Sequence, residues 1–392
     1  MMSAPLASTS RYHLPLAMLA SALVLSACGG TSVRQPAVLE RIEQPEVTVE
    51  RDWRSGRGPA TNGYKLGLTA TLHRDALFTA DADGRVYALN RENGDVIWRA
   101  DTDLALSGGP TVEGDQVLVG SRDAELVALS RADGSELWRT TVSSEVVAPP
   151  ASNGETVIVR TVDGRVAALS AGDGSQLWAT KRTVPPLTLR GLSAPVIVGR
   201  IVISGLETGR LVAQRLDDGE PVWTQAVSVP SGRSELERIA DIDAPLLVEG
   251  STLYAMSYGG DVAALDVYSG DVRWRRAIRT YSGGAVSEDG ERLYVTDEEG
   301  SVWALETSNG AAAWKSEALS WRRLSAPAVH QGFVAVADFE GYVHYLSPEN
   351  GRIVGRERPL GDRVDVMPLV ADSHLFLADV EGRVVALRAK AE

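Results

Sequence analysis

Side chains able to do covalent or metal chemistry are few in this sequence. The sole cysteine is Cys28, so neither an internal disulfide nor a cysteine-based metal site can form. His73, His330, His344 and His374 lie far apart, with no HExxH-like pairing, and read as solvated or edge residues. No G-x-S-x-G nucleophile motif, GxxxxGK[ST] phosphate loop or strand-to-helix GxGxxG is present. Many Asp residues sit beside Gly, where hairpin turns account for them. These types and spacings supply no acid–base pair, activated nucleophile or cofactor cradle, and an enzyme is not expected. The formal net charge of −13 argues against a nucleic-acid partner, because phosphate binding needs clustered Lys and Arg.

The one reactive group has a distinctive setting. Residues 1–13 are polar, and Leu14 to Ala27 form an apolar run too short to span a bilayer. The run ends in Leu25-Ser26-Ala27-Cys28, which resembles the lipobox of bacterial lipoprotein precursors. That resemblance implies a signal peptide over 1–27 and an acyl chain (palmitate among its forms) on Cys28. An ordinary secretory signal with an incidental cysteine is the other reading. In Gram-negative lipoproteins an Asp after the cysteine commonly retains the protein at the inner membrane. Gly29 here favours the outer membrane, with a lipid anchor and no transmembrane span. Residues 28–50, with many Pro, Glu and Gln and few large apolar residues, read as a flexible tether.

The elements that would position anything are set by an internal repeat. ALNRENGDVIW (Ala88–Trp98), ALSRADGSELW (Ala128–Trp138) and ALSAGDGSQLW (Ala168–Trp178) share one pattern, which returns at Trp223, Trp274 and Trp314. A degraded copy, YLSPENGRIVG, is aligned with Val354 in the Trp position. Upstream of most copies lies a turn glycine, often after Asp or Glu as at Gly84, Gly164, Gly300 and Gly382, followed by an apolar strand. Four short antiparallel strands per repeat of roughly 40 residues mark a propeller blade. The last repeat stops before its Trp strand, whereas Trp53 has no strands before it. Trp53 therefore completes the last blade. The expectation is an all-β chain with a single eight-bladed β-propeller of four-stranded antiparallel blades over 51–392, closed by an N-terminal strand. The tryptophans read as packing between blades rather than as ligand platforms.

The Ala-x₅-Gly-x₃-Trp pattern, as aligned, resembles the tryptophan-docking repeat of the pyrroloquinoline-quinone (PQQ) propeller superfamily, which contains both quinoprotein dehydrogenases and noncatalytic relatives. The enzymes hold PQQ and Ca²⁺ beside a vicinal disulfide that a single cysteine cannot make, so no cofactor is expected. A narrower resemblance takes in lipobox, tether and ring together. The chain is similar over essentially its whole mature length to the BamB family, lipoproteins of the outer-membrane β-barrel assembly (BAM) complex. That resemblance implies a noncatalytic scaffold facing the periplasm that docks on BamA and supports delivery and insertion of β-barrel proteins, with unfolded barrel clients as further partners. The family's Leu-x-Leu-Arg-Gly connector and Asp-x-Asp segment are present as Leu187, Leu189, Arg190 and as Asp241, Asp243, and the resemblance makes these the BamA-docking residues.

From the residues alone, two readings of that group stand. Leu187 and Leu189 would point the same way in an extended segment and make an apolar anchor beside Arg190, with Asp241 and Asp243 holding that arginine or meeting a basic partner. Alternatively the leucines pack under a loop and the acids are solvated. The stretch Val229–Asp243 interrupts the repeat, with Ser234 to Ala240 long enough for a helical turn, and such insertions gather on the binding face of repeat rings. The competing functions are a diverged quinoprotein-like redox enzyme, or a propeller lipoprotein binding another envelope partner or a glycan.

Overall fold

The structure, a computed structural model, describes residues 1, 34–185, 187–188, 193–229, 234 and 239–392. Among the described residues every regular element is a strand. Cys28 and residues 2–27 of the segment expected as a signal peptide lie outside them, as do Leu189, Arg190 and most of the segment expected as a helical turn.

The strands form eight antiparallel sheets taken in sequence order. Blade 1 runs from Ala70–His73 to Val96–Asp101, blade 2 from Leu106–Glu113 to Glu136–Thr141, and blade 3 from Ala151–Ser152 to Gln176–Lys181. Blades 4, 5, 6 and 7 end in the strands Pro221–Ala226, Val272–Ala277, Ala312–Ser316 and Ile353–Glu357. Blade 8 takes three strands from the C-terminus and its fourth, Val47–Ser55, from the N-terminus. First strands of successive blades approach one another around the ring, and blade 8 meets blade 1, so these strands line the axis. One addition was not expected: Gly67–Leu68 pairs in parallel with the first strand of blade 2.

Local sequence explains the layering. Third strands such as ELVALS are apolar in a continuous run and buried on both faces, because a blade is sandwiched between two others. Fourth strands such as VIWRAD have one buried position, Trp98, and polar neighbours. A β-bulge recurs beside each Trp. In blade 1, Val96 faces Leu89 and Trp98 faces Ala88, leaving Ile97 as the extra residue. The bulge turns the indole towards the next blade and leaves its neighbour outside: Ile97, Leu137, Leu177 and Val222 are about half exposed.

The indoles couple the blades. Trp98 packs on Phe78 of its own blade, with ring centroids 5.9 Å apart, and donates its Nε1–H to the Arg131 carbonyl of the next, at 2.9 Å. Its six-membered ring lies on the turn glycine Gly134, where a Cβ would come 2.7 Å from Trp98 Cε3. Gly134 also has φ +76°, so the turn needs a glycine twice over. Trp53, Trp138, Trp178, Trp274 and Trp314 repeat the hydrogen bond to the following blade. Trp223 stacks on Gly270 in the same way, but among the described residues its Nε1–H has no hydrogen-bond partner.

Closure explains the degraded repeat and corrects its alignment. The pairing register puts Gly355 at the Trp position, opposite Tyr345, while Val354 is the bulge residue. A tryptophan there would have no turn to dock on, because the third and fourth strands of blade 8 come from opposite chain ends. Val47 takes the space instead: a Cβ on Gly355 would lie 2.8 Å from Val47 Cγ1. Glu392 N–H bonds to Glu46 O and Glu46 N–H to Val354 O, each at 2.9 Å, which ties both chain ends to blade 7. The segment expected as tether is also partly seated. The closing strand begins at Val47, and Ala37 N–H already bonds to Ser320 O at 2.8 Å.

Replacing Gly134 by Ala forces a left-handed Cβ into the Trp98 ring, and a loss of about 2–4 kcal/mol is expected in denaturant melts. Trp98→Ala, which opens the same interface as a cavity, is expected to cost about 3–5 kcal/mol.

Candidate functional site

Two connectors break the repeat spacing, from Lys181 to Val196 and from Ala226 to Leu247. Each leads from an outer strand to the next blade's axial strand, so the described ends of both lie on one face of the ring. The first is gripped at both ends. Arg182 N–H bonds to Gly164 O at 2.9 Å, and Arg160 Nη1 donates to Ser193 O at 3.1 Å. Arg160 is itself held by Glu207 of blade 4 at 2.5 Å, an ion pair whose side chains are only 7% and 12% exposed. Between these grips Leu187 is 42% exposed. Thr188 reaches a small hollow of about 50 Å³ beside Val184, Arg160 and Glu207.

The second connector enters the interior. Ile239, Ala240, Ile242 and Ala244 are buried, and Ile242 sits in the core where a Cβ on Gly205 would strike it. Asp241 and Asp243 are buried too, at 1% and 4% exposure. Solvated carboxylates, one of the two sequence readings, are therefore not what the structure has. Asp243 Oδ2 lies 3.1 Å from Lys65 Nζ. Asp241 carries the segment through its backbone, its carbonyl accepting from Tyr258 N–H at 3.0 Å. Arg190 lies outside the described residues, so its expected contact with these acids is not seen.

Lys65 belongs to the segment that leads into blade 1, whereas Asp243 leads into blade 5 across the ring, so their pair spans the mouth of the axial channel. Behind it is a cavity of about 600 Å³, with Leu68, Tyr281, Arg363 and Asp365 in its wall. Arg363 and Asp365 neutralise each other at 2.7 Å. Sequence reasoning missed Lys65, Arg160 and Glu207. Arg160 did leave a signal, because it ends the second strand of its blade where the matching positions of the other blades carry no charge, Ala80, Gly205, Met256 and Ala337 among them.

The histidines correct the expectation of solvated or edge residues: His330, His344 and His374 are buried. His330 Nε2 lies 2.9 Å from Ser373 O and must donate to it, leaving Nδ1 to accept from Tyr345 Oη at 2.8 Å. His344 donates from Nε2 to Asp338 at 3.0 Å and accepts at Nδ1 from Arg356 Nε at 3.1 Å. Burial pushes both imidazoles below their ordinary pKa, for His344 despite the neighbouring Asp338. Burial opposes ionisation of Asp338, but bonds from His344 and Arg322 outweigh it and hold that carboxyl below its ordinary range. These contacts join neighbouring strands and connectors. Among the described residues no group of three or more His, Cys, Asp or Glu side chains could hold a metal ion.

Fold and site define a class: an eight-bladed propeller of tryptophan-docked, PQQ-like repeats, with two seated connectors on one face. The family model described as outer membrane protein assembly factor BamB matches residues 82–316. The chain is 50% identical over 324 residues to outer membrane protein assembly factor BamB of Pseudomonas aeruginosa, covering 82% of this chain and 84% of that protein. To the protein of that name in Escherichia coli it is 32% identical over 334 residues, covering 82% and 84%. The crystal structure of BamB from Moraxella catarrhalis matches with a TM-score of 0.78 and 25% identity, covering 87% of this chain and all of that one. The chain belongs to the BamB family. Quinohemoprotein alcohol dehydrogenase from Comamonas testosteroni shares the fold alone, at a TM-score of 0.68 and 12% identity.

Removing the guanidinium in Arg160→Ala strands Glu207 and frees the Ser193 end of the connector. A loss of about 3–5 kcal/mol is expected in denaturant melts, with faster proteolytic cleavage between blades 3 and 4. His330 and His344 bind protons more weakly folded than unfolded, so their contribution is complete above the unfolded pKa near 6.5 and declines as pH falls below it. The melting temperature is expected to drop between pH 7 and 5.5, and His330→Gln with His344→Gln to flatten that slope.

Proposed function

We propose that the chain is a noncatalytic lipoprotein scaffold of the outer-membrane β-barrel assembly machinery. An acylated Cys28 holds it at the periplasmic face of the outer membrane, and it docks on BamA to support delivery and insertion of β-barrel proteins. Membership of the BamB family supports the machinery. The observation that carries the docking reading is the seating of the two connectors on one face, which leaves Leu187 outward between two fixed points. A connector tied at both ends gives up less entropy on binding than a free one, so one exposed leucine can act as an anchor. In this reading Leu187, Leu189 and Arg190 make the contact. Asp241 and Asp243 act mainly from beneath, keeping the adjoining connector in place through pairs such as Lys65–Asp243.

The test is retention of BamA by tagged protein from detergent-solubilised membranes, with wild type and with Leu187, Leu189 and Arg190 changed to Ala. Wild type is expected to retain BamA and a folded triple variant to bind about thirtyfold more weakly, the factor for a hot spot of ~2 kcal/mol. Equal retention would remove these residues from the interface. Absence of BamA from both samples would sink the docking reading.

A further inference from the structure

The outer edge of blade 7 carries the chain's own N-terminal segment, and that contact has a consequence for how the ring meets the membrane. Ala37 N–H bonds to Ser320 O at 2.8 Å, in the connector from blade 6 to blade 7. Its carbonyl accepts from Arg322 Nη1 at 3.1 Å, and the Glu40 carbonyl accepts from Arg356 Nη1 at 2.9 Å. Leu39 packs on the cluster that contains Leu319 and Leu324. Both guanidiniums are locked from behind. Arg322 Nε is 2.7 Å from the buried Asp338 and its Nη2 meets Glu340, while Arg356 leans on His344. A strap received by two braced arginines is a mount rather than a loose leash.

Where the strap begins matters because of what precedes it. Nine peptide units separate Cys28 from Ala37, so Ala37 lies within about 30 Å of the cysteine even at full extension. Beside this point the ring carries Phe339 and Tyr342 packed around Arg322, at 5.1 and 5.9 Å, and Arg358 over Tyr342 at 5.2 Å. Trp321 lies next to Ser320, and it, Phe339 and Tyr342 are each partly exposed. Aromatic rings mixed with arginines suit the headgroup layer of a membrane, where an apolar body and a polar tip are both accommodated.

We propose that the ring is mounted edge-on, with the blade 6–blade 7 edge towards the lipid surface and Trp321, Phe339, Tyr342 and Arg358 in contact with phospholipid headgroups. The inference rests on acylation of Cys28, part of the function proposed above. It places the candidate docking connectors on the same face as the strap's point of entry, two and three blades around the ring from the anchored edge.

The test uses acylated full-length protein in vesicles of phosphatidylethanolamine and phosphatidylglycerol that carry a headgroup-linked energy acceptor. Because the only native cysteine is the acylated one, Glu317→Cys and Ser144→Cys each give a single labelling site, in matching connectors half a ring apart. Energy transfer is expected to be severalfold more efficient from position 317 than from 144. Ala37→Pro, which removes the bond to Ser320, is expected to shrink that difference while the ring stays folded. Equal transfer from both sites in protein shown by mass spectrometry to be acylated would overturn the mounting but leave the lipoprotein reading intact. Absence of the acyl group on Cys28 would overturn both.

Discussion

Among the described residues no backbone ladder joins one blade of this ring to the next, apart from the short Gly67–Leu68 pairing, so side-chain contacts, with single backbone bonds from the connectors and chain ends, carry the cohesion between sheets. The recurring contact is an indole laid on a glycine. Each seat requires three local features at once. A bulge turns the tryptophan out of its own sheet, a left-handed glycine lets the neighbouring turn approach to van der Waals distance, and a turn carbonyl faces the indole N–H. Desolvating an indole without a partner for its N–H would lose part of what burial gains, and six of the seven described docking tryptophans meet that condition.

A chain of such seats has a first and a last member, and the ring resolves the mismatch at blade 7. Its neighbour, blade 8, is assembled from both chain ends and has no turn to receive an indole. Gly355 therefore stands where a tryptophan would go, and Val47 with Glu46 closes the gap. The exchange seals the last sheet edge, which an open array would leave ready to pair with other chains. It also brings the N-terminal segment onto blade 7. There Arg322, Asp338, His344 and Arg356 form a buried network whose outward donors hold the segment's carbonyls. Single buried charges of this kind are costly, and the network is tolerable because each member has a partner.

The same rigidity shapes the candidate docking site. The connectors between blades 3, 4 and 5 are longer than the repeat requires, yet the ends of the first are pinned by backbone bonds and the Arg160–Glu207 pair. The second is drawn into the core by Ile242 and Asp243. Binding through such a surface needs no titrating nucleophile or metal, and the buried histidines serve cohesion instead. A scaffold that works by presenting one face of a fixed ring is consistent with that distribution of polar groups.

Much of this was legible in the residues. The Trp–Gly period gave the blade number and the closing strand, because turn glycines and docked indoles are local requirements written at fixed spacing. The period disagreed with itself where it failed: the spacing of 40 residues from Trp314 lands on Val354, whereas the three-residue gap after Gly351 leads to Gly355. The pairing with Tyr345 selects Gly355, and only the structure shows Val47 in the indole's place. Nor could the period tell that residues near Ala37, polar enough to read as tether, would find braced arginines some 285 positions away. Asp241 and Asp243 share a spacing that suits an exposed strand, yet Ile242 between them is buried as well, because the segment threads the interior rather than lying on it. Sequence alone determined the repeating unit, the sole cysteine and the apolar run before it, since each depends on neighbours in the chain. Tertiary structure alone decided which polar side chains are buried and what they hold, because burial is set by residues brought close only when the ring shuts.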